Sequence, residues 1–139
     1  MFREICTLVE DRTSFVIGTT LQVGHRLQEA PDRCVTLSES AGGATVPDLP
    51  DRADFNLQAI SRATTYFQAR DDAWEVYTAL HGTAGWNMPR IDMIDSGAED
   101  YWAIVIDAIA IPQYIGQDEK GRFEFSVNFI FRVQEDSCR

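Results

Sequence analysis

The sequence predicts an α+β domain: about five strands in a mixed or antiparallel sheet, a long C-terminal hairpin, and two helices on one face. Three observations carry this. Phe123, Phe125, Val127, Phe129, Phe131 and Val133 occupy every second position, with Arg122, Glu124, Ser126, Asn128 and Arg132 between them; period-two alternation is the pattern of a half-buried strand. Tyr66, Ala69, Ala73, Val76, Tyr77 and Leu80 recur at three- and four-residue spacing, one stripe of an amphipathic helix. The nearly continuous apolar run YWAIVIDAIAIPQ, 101–113, stands just before QDEKGR, a turn-like stretch with Gly121 where a hairpin needs positive φ.

The elements follow in order. Phe2, Ile5, Cys6 and Val9 predict a short amphipathic helix over 2–11. Phe15 to Val23 alternates and reads as a strand. RCVTLSES, 33–40, is a second strand introduced by Pro31. AGGATVPDLPDR, 41–52, holds two Gly and two Pro and reads as an exposed loop. FNLQAISRA, 55–63, is a third strand. The long helix spans 64–82, with Gly82 placed to end it and Gln68, Asp72 and Glu75 on its wet face. Phe67, Trp74 and Thr78 lie beside the main stripe; they either widen the core or meet another protein, since aromatic residues are enriched in interfaces. Segment 83–100 is mixed and acidic, with a short strand expected near Arg90–Ile94. The run 101–113 is a strand covered on both faces, and Asp107 within it reads as structural, paired with an Arg. At about 3.3 Å per residue, the last strand would extend roughly 40 Å. Loops 41–53 and 83–100 are expected to order on assembly.

Composition narrows the function. A chain of 139 residues is most simply one domain, 1–139. Its net charge is −10, its one Lys is Lys120, and no basic run occurs, which argues against a nucleic-acid-binding surface. Cys6, Cys34 and Cys138 are far apart and odd in number, so neither a disulfide framework nor a zinc site is expected. The charged start MFREICTLVEDR is unlike a signal or transit peptide. The run 103–111 is too short to span a bilayer. These features predict a soluble protein made inside the cell.

Catalytic patterns are missing. His25 and His81 belong to no metal-binding spacing, and no P-loop, GxGxxG, GxSxG or calcium loop occurs. A Cys34/His81 nucleophilic pair is the one arrangement left to test. No catalytic residue, cofactor or metal is therefore expected.

PDRCVTLSESAGG at 31–43, NLQAISRATTYFQARDDAWEVYTALHG at 56–82 and IGQDEKGRFEFSVNFIFRV at 115–133, in that order, resemble the minor-capsid and tail-terminator proteins of long-tailed bacteriophages and prophages. The resemblance runs from about Ile17 to Val133. It implies a structural virion protein, assembled in the host cytoplasm and placed at the head-proximal end of the tail. It implies a homo-oligomeric, typically hexameric ring that caps the tail tube, stops its polymerisation and joins it to the head connector or stopper. DNA would pass through the lumen without specific binding, and no membrane or cofactor is involved. The family's pattern marks fold positions and supplies no catalytic residues. Candidate subunit or partner contacts are Phe67, Trp74, Arg122, Glu124, Asn128 and Arg132. Two other classes remain: another head–tail joining or tail-tube component, and a small α+β enzyme with a deep polar pocket.

Overall fold

The computed structural model describes residues 2–26, 30–40, 45–46, 49–88 and 101–135. In chain order these form α1 (Phe2–Arg12), β1 (Leu21–Val23), β2 (Cys34–Glu39), β3 (Thr45–Val46), β4 (Leu49–Ala63), α2 (Tyr66–Leu80), β5 (Thr83–Met88), β6 (Tyr101–Ala108), β7 (Gln113–Gln117) and β8 (Phe123–Glu135). The α+β class holds. The described residues contain eight strands, not five, in one sheet ordered β1-β2-β4-β8-β6-β5, with β3 on β4 and β7 on β8. Only β1 and β2 are parallel.

The last strand behaves as its alternation dictates. In β4 and β8, Leu57 faces Phe129, Ala59 faces Val127 and Ser61 faces Phe125. All six are buried, so one face of both strands supplies the core. That face packs with Ile5, Leu8 and Val9 of α1 and Ala69, Ala73, Val76 and Leu80 of α2. Both helices thus cover the same face. The hydroxyl of Ser61 donates to the carbonyl of Ala69 at 2.7 Å, which satisfies a polar group that would otherwise be costly to bury.

Helix α2 starts where Thr65 accepts a hydrogen bond from the Gln68 N–H, an N-cap. It ends at His81 and Gly82, whose φ is +80°, the left-handed exit that Gly adopts without strain. The β7–β8 turn places Gly121 at φ +77°, again as the sequence predicts.

Several expectations are corrected. The strand expected over Phe15–Val23 shrinks to Leu21–Val23. Upstream, Leu21 N–H donates to Val16 and Gly18 N–H donates to Leu21, which folds the segment into a turn. The loop expected over 41–52 contains β3 and the start of β4; positions 41–44 and 47–48 lie outside the described residues. The strand expected near Arg90–Ile94 also lies outside them, while β5 occupies 83–88. The strand expected over 101–113 is two, β6 and β7. Pro112 between them has no N–H to donate, yet Ile109 N–H still reaches Asn128 at 2.8 Å. The long hairpin therefore exists, with a break in its first arm.

The wet face assigned to α2 is also corrected. Asp72 is 1% exposed and accepts two bonds from Arg33, at 3.0 and 2.9 Å. Glu75 accepts from the N–H and hydroxyl of Ser14, at 2.7 and 2.8 Å. Both acids pin α2 to neighbouring segments. Asp107 is half-buried on β6, and no arginine pairs with it among the described residues.

Candidate assembly surface

The sheet face away from the helices divides into two ends. By register, one end carries Cys34, Arg62 and Glu124 across β2, β4 and β8. The connection from β1 to β2 reaches over it. Arg26 pairs with Glu124 at 3.3 Å. Arg62, whose side chain is 5% exposed, donates to the carbonyls of Pro31 and Asp32 at 2.8 and 3.2 Å. Arg122 bonds Asp118 at 2.7 Å and Asp32 at 2.8 Å. Three guanidinium groups and three carboxylates thus close this end.

The electrostatics follow the geometry. Burial lowers the pKa of Arg62, and the like charges of Arg26 and Arg122 add to the effect against the pull of Cys34 and Asp118. Desolvation opposes ionisation of Asp118. Hydrogen bonds from the backbone and side chain of Arg122 and the backbone of Lys120 outweigh it, and the carboxyl falls below its ordinary range. Asp118 Oδ1 accepts from the N–H groups of both Lys120 and Arg122, so the same acid builds the turn and anchors the network.

The other end holds Asn128, Ile130 and Arg132 of β8 beside Val105 and Asp107 of β6. Arg132 is exposed and pairs loosely with Asp54 at 3.8 Å. Such an exposed pair contributes little.

The six sequence-predicted contact residues therefore do not form one patch. Arg122 and Glu124 serve the chain's own network. Asn128 and Arg132 lie on the barer end. Phe67, on the first turn of α2, is 71% exposed and stands edge-on to Tyr66, so it does not widen the core. Trp74 is half-buried against Tyr77, with Arg70 over its ring at 5.4 Å.

Sequence reasoning missed the exposed aliphatic residues at the sheet's sides. Ile109 and Ile111 precede β7 and Ile115 lies within it, and Val16, Ile17 and Val23 lie at β1. No local signal marked them, because each lies beside an open sheet side only through the strand order. It also missed Arg26, Asp32 and Arg62, whose meeting depends on the chain's path.

Chemistry at the remaining candidates is unpromising. Cys34 is buried opposite Arg62. His81 follows the last turn of α2, where its Nδ1 accepts from the Ala108 N–H at 3.0 Å and its ring stacks on Tyr77. Ala108 is on β6, three strands from the β2 of Cys34 in the sheet order, or roughly 14 Å at the usual strand spacing, so the two do not form a nucleophile–base pair. Burial, with Glu39 and Glu4 adding, pushes the Cys6 thiol up to about 12, far from a reactive thiolate. A cleft of about 250 Å³ is lined by Ser14, Phe15, Thr20, Arg33 and Asp72, and its two charged groups are already bonded to each other. Among the described residues no group of three His, Cys, Asp or Glu side chains could hold a metal ion. None of their helices is long and apolar enough to cross a membrane.

Comparison with known families then decides the class. The family model for the bacteriophage tail terminator protein matches residues 8–135. The chain belongs to the bacteriophage tail terminator family. The match takes in the last five residues of α1, all of α2 and every described strand. No curated protein matches the chain. Membership makes this a structural protein of the phage tail.

Proposed function

We propose that the protein forms a closed ring, hexameric by the family resemblance, that caps the tail tube, stops its polymerisation and joins it to the head connector or stopper. The observation that carries this reading is the family match over 8–135. A sheet with one face on its helices and exposed apolar residues at both sides is consistent with it, because a ring joins each subunit through two different surfaces.

The reading is structural, not catalytic. The net charge of −10 suits a lumen that DNA crosses without being held, since phosphate binding needs clustered cations. The partners are further copies of this chain, the tail tube protein and a head-side connector. The site of action is the head-proximal end of the tail, after assembly in the host cytoplasm.

Deleting the gene tests the role. Electron microscopy of lysates is expected to show filled heads without tails and tails of uncontrolled length. Normal virions from the deletion would contradict it.

A further inference from the structure

We infer that successive copies meet through opposite sides of the sheet, the β7 side of one copy against the β1 side of the next. This rests on the ring reading and specifies its contact.

The register supplies the first argument. Leu21 pairs with Val35, Val35 with Ser61, Ser61 with Phe125, and Phe125 with Tyr114. One row of the ladder therefore starts on β1 and ends on β7. At this level the sheet is five strands wide, and both of its sides lie at the same height. A neighbour placed by rotation alone brings its β1 side to the β7 side with no rise between copies. That is the condition for a ring, not a filament.

The second argument is chain direction. Strand β8 runs antiparallel to β7 and to β4, β4 antiparallel to β2, and β2 parallel to β1. Strands β7 and β1 thus run in opposite senses. Copies related by an axis along the strands would set the two sides facing each other with their chains in opposite senses.

The third argument selects the occupant. Ile115 and Ile111 are 51% and 58% exposed on one side, and Val16 is 53% exposed on the other. A two-fold dimer would bury the same patch twice and leave the opposite patch wet. A head-to-tail ring covers both. On the β1 side the outer N–H and C=O of Leu21 are already used by Val16 and Gly18, so the contact there is made by the side chains of Val16, Ile17 and Val23.

Mixing two variants tests this. Val16→Asp spoils one side and Ile115→Asp the other, and each leaves the opposite side intact. Val23→Asp and Ile111→Asp replace either variant that fails to show the wild-type melting transition. Light scattering is expected to find each variant monomeric alone and a one-to-one mixture at twice the monomer mass. Dimers of Val16→Asp alone would show a β7-to-β7 contact and overturn the inference. A monomeric mixture, or wild-type assembly by either variant alone, would overturn it while leaving the ring itself standing. Wild-type protein that stays monomeric even with tail tube protein added would overturn the ring and the inference together.

Discussion

The two ends of the open sheet face share one sequence pattern and have different environments. Near the hairpin, Arg122 and Glu124 are 16% and 18% exposed in their side chains, held by Asp118, Asp32 and Arg26. Toward the other end, Arg132 is 45% exposed beside Asp54. Glu124 and Arg132 alternate with core-facing residues of β8, and Arg122 directly precedes that strand. Period two assigns a face, but it does not say what lies over that face. That depends on Arg26, Pro31 and Asp32, which reach one end from the connection between β1 and β2. A polar strand position is therefore held by the chain's own charges at one end and exposed at the other.

Substitutions can break or sharpen this contrast. The largest effect belongs to the shared covered face. Phe129 is fully buried between Leu57 and Ala108. Phe129→Ala is expected to cost about 3–5 kcal/mol in denaturant unfolding, a large part of a small domain's stability. Next comes the closed end of the open face. Arg62→Met strands the carbonyls of Pro31 and Asp32 and leaves Asp118 with one fewer cation. An expected loss of about 2–4 kcal/mol would appear as a lower melting temperature.

Glu124→Arg removes the partner of Arg26 and adds a fourth guanidinium to the cluster. It is expected to cost about 1–3 kcal/mol, measured beside Arg132→Glu on the barer end. The Arg132 change should stay within about 1 kcal/mol. Equal melting temperatures for the two variants would erase the contrast between the ends.

Acid gives a finer probe. The folded-state pKa of Asp118 is lowered, so the unfolded chain takes up its proton first as pH falls. The stabilisation is present above the ordinary Asp value of about 3.9 and is lost as pH drops through the folded value. Melting curves of Asp118→Asn should therefore show a shallower acid limb than wild type. An unchanged slope would remove Asp118 from the network's energetics.

Much of the fold was legible because the periodicities were strong. Phe123 to Val133, the α2 stripe, Gly82 and Gly121 each follow from local rules of alternation, capping and turn geometry. The failures have a common cause. Asp72 looked wet because its partner, Arg33, lies in a distant strand lead-in. The segment 15–20 alternated like a strand, yet Gly18 and the bond from Leu21 to Val16 turned it. The inferred contact surface was the least legible part. Phe67 could be weighed as a contact from its place beside the helix stripe, whereas Ile115 and Val16 become neighbours of open sheet sides only once the strand order is known.

The capping role is tested most directly by adding the purified protein to tail tube protein while it polymerises and measuring tube length by electron microscopy. Tubes are expected to stop elongating and to carry one ring at one end. Tubes that grow to the same lengths with and without the protein would contradict it.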